Sequence, residues 1–297
     1  MRIGRHIPVG SSALKAAEIA QSIGCNTIQI FASNPTGWSP TLGGEENCAA
    51  FAEAARMRDL DPVVLHAPYL INLAAPDDLI WEKSIALLRW TLQRGALLGA
   101  SFVVFHVGSH KGAGVEAGIE RVVTALKRIL PETPSEVMLL LENSVGAGNT
   151  LGGAFEDLAA ILHRLPDYTD RLGVCLDTAH LWGAGHDIST GESTEKVLEL
   201  FDQTVGLERL QVLHLNDTEK ALGSHRDVHT RIGEGIIGQE GLRVLLRDPR
   251  LARVSVLLET PIKTTEHGKE DWEHDKEHLE RVKQLMPLSV TPTSRDS

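Results

Sequence analysis

The stretch PVVLH, residues 62–66, sets three aliphatic residues in a row before a histidine. A run without polar alternation is what a strand buried on both faces of a parallel sheet requires. The same form recurs as FVVFH at 102–106, MLLLE at 138–142, GVCLD at 173–177, QVLH at 211–214 and VLLE at 256–259. Each run stops on a side chain able to bind a metal: His66, His106, Glu142, Asp177, His214 and Glu259. Their spacings of 40, 36, 35, 37 and 45 residues leave room for one helix and its loops between successive strands. Six such strand ends in succession imply convergence on one place, and a closed barrel of parallel strands provides it.

Outward from these runs, the whole chain divides into eight strand-helix units. RIGRHIPV and NTIQIF supply the first two strands, and helices are expected at 11–23, 45–58, 115–130, 155–164, 195–205, 241–247 and 272–286, with a long one ending near Gly99. Ser11 or Ser12 is placed to cap the first helix. The sequence therefore predicts an α/β protein, a single (β/α)8 TIM barrel over residues 1–286, followed by a frayed C-terminal tail at 287–297. Catalytic residues of such barrels sit beyond the C-terminal ends of the strands, where all six fall. With 297 residues and 42% hydrophobic content the composition is that of a globular protein. No apolar stretch reaches the roughly 20 residues that span a bilayer, and MRIGRHIPVG lacks a signal-peptide core. A cytoplasmic protein with no membrane partner is expected. Cys25, Cys48 and Cys175 show no CxxC spacing and are expected as buried small hydrophobes. A net charge of -11 argues against a generally basic nucleic-acid coat, although a local cationic site remains compatible with it.

The rim loops add His180, three residues after Asp177, and the pair Asp227 and His229 after the seventh strand. Nine candidates result: His66, His106, Glu142, Asp177, His180, His214, Asp227, His229 and Glu259. Imidazoles and carboxylates without thiolates suit zinc or manganese and oppose a structural zinc site. One catalytic zinc takes about three protein ligands, so nine point to two or three ions. Neighbouring metals roughly 3.5 to 4 Å apart can share a hydroxide and clamp a phosphoryl group. Of the other histidines, His163, His267, His274 and His278 are expected in solvent, and His6, His110, His186 and His225 near the rim.

At these residues the chain resembles the endonuclease IV family of apurinic/apyrimidinic endonucleases. The matching stretches are LHAPYLINLA (65–74), FHVGSH (105–110), LENSVGAGN (141–149), GVCLDTAHLWGAGHD (173–187), LHLNDTEKALGSHRDVHTRIGEG (213–235) and LLETP (257–261). The resemblance implies three zinc ions, with manganese an alternative. His66, His106 and Glu142 would hold one, Glu142 would bridge to a second held by Asp177, His214 and Glu259, and His180, Asp227 and His229 would hold the third. It implies hydrolysis of the phosphodiester 5′ to an abasic site in double-stranded DNA, by a hydroxide shared between metals and oriented by Glu142 as the catalytic residue. A 3′-hydroxyl and a 5′-deoxyribose phosphate would result, and removal of 3′ blocking groups is expected too. Tyr69 matches a residue that enters the minor groove. Thr36 stands where the family usually has a basic residue before a tryptophan, and Val228 where it has an arginine that Arg226 or Arg231 is expected to replace in touching phosphate. A monomer with no obligate protein partner is expected. The rivals are a xylose-isomerase-like sugar isomerase or epimerase, which has little use for all nine ligands, and a non-catalytic abasic-DNA-binding protein.

Overall fold

The computed structural model describes residues 1–9, 12–39, 44–266 and 268–287. Eight parallel strands close on themselves in sequence order. They are β1 (Arg2–His6), β2 (Thr27–Phe31), β3 (Val63–His66), β4 (Ala100–His106), β5 (Met138–Glu142), β6 (Leu172–Asp177), β7 (Leu210–His214) and β8 (Ser255–Leu258). Around them run α1 (Ala13–Ser22), α2 (Glu45–Met57), α3 (Asp78–Leu97), α4 (Val115–Ile129), α5 (Phe155–His163), α6 (Thr178–Ala184), α7 (Gly191–Thr204), α8 (Glu240–Arg247) and α9 (Trp272–Lys283). The TIM barrel expected from the sequence is the observed fold.

Strand pleating explains why this barrel builds a site at its mouth. Successive side chains of a strand point to opposite faces. Val63, Leu65, Val103, Phe105, Leu139, Leu141, Val174, Leu176, Leu213, Val256 and Leu258 belong to the large cluster packed beneath the helices. Their neighbours Val64, Val104, Leu140, Cys175, Val212 and Leu257 form a separate buried cluster. Each member of this inner layer stands two residues before one of His66, His106, Glu142, Asp177, His214 and Glu259. The same alternation that fills the barrel axis with apolar groups thus sets six polar groups directly above them.

Local chemistry settles several boundaries. Asp77 caps α3 by accepting the Ile80 N–H at 2.9 Å, and Thr190 with Ser193 forms a reciprocal cap on α7. That cap starts α7 four residues before the expected Glu195. A short helix, α6, was not expected as an element; Asp177 initiates it by accepting the His180 N–H at 2.9 Å. Ser12 occupies the cap position of α1 without a side-chain bond, while Ser11, His267 and the expected tail from Leu288 onward lie outside the described residues. All three cysteines are buried and free. No helix among the described residues is long and apolar enough to cross a membrane.

β1 and β2 approach closely where Gly4 pairs with Thr27, and a Cβ on Gly4 would collide with the Thr27 carbonyl. Gly4→Ala is therefore expected to cost about 3 kcal/mol or more through overpacking against backbone that cannot yield. Urea unfolding measures this, and an unchanged midpoint would refute the close approach.

Candidate metal centre

Glu142, fully enclosed at the end of β5, is the hub of the mouth. Its Oε2 lies 3.2 Å from His66 Nε2 and 3.4 Å from His106 Nδ1. Its Oε1 lies 3.0 Å from His214 Nδ1 and 3.6 Å from His180 Nδ1. Sheet register accounts for part of this, pairing His106 with Glu142 and Asp177 with His214 across adjacent strands. Glu259 Oε2 comes within 3.3 Å of His214 Nδ1. Asp177 Oδ2 lies 3.5 Å from His229 Nε2, and Asp227 Oδ1 lies 3.2 Å from the same atom and 3.3 Å from His180 Nε2. All nine sequence-predicted candidates therefore meet. Donor atoms fall within 4.8 Å of one another in the sets His66, His106, Glu142; Glu142, Asp177, His214, Glu259; and Asp177, His180, His229.

The rings are aimed by hydrogen bonds on their far nitrogens. His66 Nδ1 donates to the Ala67 carbonyl at 2.7 Å, His180 Nδ1 to the Asn143 carbonyl at 2.9 Å, and His214 Nε2 to Gln29 Oε1 at 2.9 Å. Each bond aims the other ring nitrogen toward the carboxylates, the arrangement that orients a ligating imidazole. Gln29 also donates through Nε2 to Glu259 Oε1 at 2.6 Å and to His6 Nδ1 at 3.0 Å. Asn216 Nδ2 donates to Asp177 Oδ2 at 2.7 Å, while its Oδ1 accepts the Glu259 N–H at 2.9 Å. Asn143 Oδ1 accepts the Asp177 N–H at 2.6 Å.

The long loop after β7 has no regular structure yet is firmly held. Asp217, buried just past the strand, accepts backbone N–H groups from Thr218, Gly233, Gly235 and Ile237 at 2.8 to 3.2 Å. His225 Nδ1 donates to the Val145 carbonyl at 2.7 Å, joining the loop to the segment after β5. Between these anchors stand Asp227 and His229. His229 Nε2 is out of solvent with no hydrogen-bond partner, although two carboxylates flank it. A donor so placed is suited to a cation.

Charge within the cluster is shared rather than solvated. Burial alone would raise the Glu142 carboxyl, but His106, His214 and His66 hold it well below its ordinary value. Burial opposes the charged form of His180, yet Asp177, Asp227 and Glu142 outweigh it and lift the ring to about 10. The same contest at His229, with Asp177, Asp227 and Glu259 prevailing, gives about 9. His106, by contrast, is lowered by burial, which Glu142 only partly offsets. Beneath the site burial pushes the Cys175 thiol up to about 12, so it stays protonated although it lies within 4.8 Å of donors on Glu142 and His214.

Comparison with known proteins places this geometry. Residues 17–282 match the family model described as xylose isomerase-like TIM barrel. A protein of Natranaerobius thermophilus named "Probable endonuclease 4" is 41% identical over 286 residues, covering 96% of this chain and 98% of that protein. A namesake in Methanoculleus marisnigri is 43% identical over 266 residues, covering 88% and 92%. The crystal structure of endonuclease IV from Thermus thermophilus superposes with a TM-score of 0.81 at 36% identity, covering 96% of this chain and 98% of that one. The chain belongs to the endonuclease IV family. A D-psicose 3-epimerase structure, TM-score 0.70 at 15% identity, shares the fold alone.

Two expectations for this endonuclease IV family member need correction. Arg231 is only 3% exposed and its guanidinium is bonded to Asp275 at 3.0 Å and to the Pro261 carbonyl at 3.1 Å, so it is an internal ion-pair partner and not a surface phosphate contact. His278 is buried, not solvated, and its Nε2 accepts the Ile232 N–H at 3.0 Å. Tyr69 is 56% exposed, its ring 5.6 Å from that of His66, between clefts on either side of the cluster. Arg226 is exposed. Thr36 is turned back onto Asn34 Oδ1 at 3.0 Å. His110, His186 and His225 stay outside the cluster, whereas His6 reaches 3.9 Å from Glu259 Oε1. Gln29, Asn143, Asn216 and Asp217 went unnoticed in the sequence. Gln29 had a readable signal, being the single strongly polar residue within the strand TIQIF.

The raised histidines fix a sign. Protons on His180 and His229 favour the metal-free fold fully below about 6.5, the unfolded histidine value, and that contribution fades as pH rises through 9 to 10. A cation must displace these protons, so its apparent affinity rises with pH over the same window. With His214 also held well above its ordinary value, zinc titration of chelator-stripped protein at pH 7.5 is expected to release about three protons per chain, read by calorimetry in buffers of different ionisation enthalpy. Zinc binding independent of pH between 6 and 9 would contradict the assignment.

Proposed function

We propose that this protein is a DNA repair endonuclease that hydrolyses the phosphodiester 5′ to abasic sites in double-stranded DNA, leaving a 3′-hydroxyl and a 5′-deoxyribose phosphate, and that it also removes 3′ blocking groups. The observation that carries the reading is the split carboxylate of Glu142, one oxygen toward His66 and His106 and the other toward His214 and His180. The nine side chains fit three zinc ions, or manganese at one or more of them, because the donors are imidazole and carboxylate and several imidazoles already have their far nitrogens bonded. His66, His106 and Glu142 hold one ion; Glu142, Asp177, His214 and Glu259 a second; His180, Asp227 and His229, with Asp177 close by, the third. Bound there, zinc supplies Lewis acidity that lowers the pKa of water and positive charge that offsets the phosphate.

The chain's own groups do the rest. Glu142 reaches two of the three ligand sets and is placed to orient the attacking water and hold its proton on a carboxylate oxygen. Asp227, half exposed at the lip, is the ligand nearest an incoming strand. Tyr69 offers an aromatic face to the gap left by a missing base, and Arg226 is the proposed phosphate contact on the same rim. Asn143, Asn216 and Gln29 keep Asp177, Glu259 and His214 in register.

An oligonucleotide duplex with one tetrahydrofuran abasic analogue is expected to be nicked on its 5′ side, with activity lost after prolonged chelation and regained with zinc or manganese. A gel shift without a nick would indicate a binding protein, and neither outcome would leave the epimerase-like reading. Glu142→Gln is expected to lower kcat on the order of 10³-fold. Tyr69→Ala should weaken abasic DNA far more than it changes zinc content; equal binding of abasic and intact duplex by the parent protein would remove Tyr69 from this role.

A further inference from the structure

We propose that Asp275, on α9, is a positioning residue that fixes Glu259 and His229 through two buried arginines; this rests on the ligand assignment above. Asp275 Oδ1 accepts Arg231 Nη2 at 3.0 Å and forms an ion pair with Arg5 Nη1. Both arginines also bond backbone carbonyls. Arg5 Nη2 donates to the Thr260 carbonyl at 2.8 Å, and Arg231 Nη2 to the Pro261 carbonyl at 3.1 Å. Those carbonyls directly follow Glu259, and Arg231 stands two residues after His229. Arg5 also precedes His6 and lines the cleft that His229 and Glu259 share. One carboxylate on the last helix thus ties the ends of β1 and β8 to the loop after β7.

All three side chains are at least nine-tenths buried. Two guanidinium charges there face one carboxylate, and loss of that carboxylate leaves both unpaired in a site that water does not reach. Strain released in this way falls on the segments bearing Glu259 and His229. His66 and His106 come from β3 and β4, and among the described residues no hydrogen bond or ion pair joins those strands to Arg5, Arg231 or Asp275. Displacement of two ligands out of nine is therefore expected to be selective: the ions held by Glu259 and by His229 loosen, and the ion at His66 and His106 does not.

The test is the rate at which a chromogenic chelator strips zinc from the loaded protein, with cobalt(II) absorption as a second readout of coordination. Asp275→Asn is expected to release two of three ions tenfold to a hundredfold faster, with the third unchanged and an altered cobalt spectrum. Leu279→Ala, which opens a cavity one turn along the same helix and leaves the carboxylate in place, is expected to lower Tm without changing release. Where Asp275→Asn does not give folded protein, Arg231→Gln, which keeps the Arg5–Asp275 pair, is judged by the same two-of-three criterion. Unchanged release in the folded variant overturns the proposal, as does acceleration equal for all three ions or equal to that of Leu279→Ala. A parent protein that loads no transition metal instead refutes the ligand assignment itself.

Discussion

The pleat of the strands is the constraint on which this structure depends. A side chain at position n and one at n−2 must share a face, so an aliphatic residue that fills the barrel axis obliges the residue two places on to point into its mouth. Six strands obey this together, from Val64 and His66 to Leu257 and Glu259. The apolar plug and the polar cluster are one pattern, and neither could shift by a residue without exchanging faces with the outer layer.

Gathering carboxylates and imidazoles this tightly would be unfavourable if each kept its solution charge. Glu142 has no solvent, only rings, and its ionised form is maintained by them. His180 and His229 hold protons that balance Asp177 and Asp227. The protonated cluster is a stand-in for a metallated one: the same carboxylates that keep these imidazoles protonated are those a divalent cation would neutralise. With divalent cations bound, such a cluster would give a chain of net charge -11 one local positive site for a polyanion.

The barrel was legible because each strand is a short aliphatic run, and the cluster because its members stand at fixed places relative to those runs. Local signals failed where long-range contacts decide. Arg231 looks like any rim cation in TRIGEG, and only Asp275, distant in sequence, turns it inward. His278 sits in a strongly charged helix, yet burial beside Arg231 and Arg5 lowers it to about 3 and makes it an acceptor for Ile232. Gln29, Asn143 and Asn216 act through hydrogen bonds to the ends of other strands, which no periodicity announces. Asp177 has two roles: it caps α6 with Oδ1 and faces the cluster with Oδ2.

The inner layer of Val64, Val104, Leu140, Cys175, Val212 and Leu257 closes the barrel from below, so the vestibule above it is a cul-de-sac. Water, cations, substrate and scavenging reagents all share one threshold. Whatever lies across that threshold during turnover also shields the ions underneath from exchange with bulk solution, which makes retention of the cofactor a property of the occupied state as much as of the ligands.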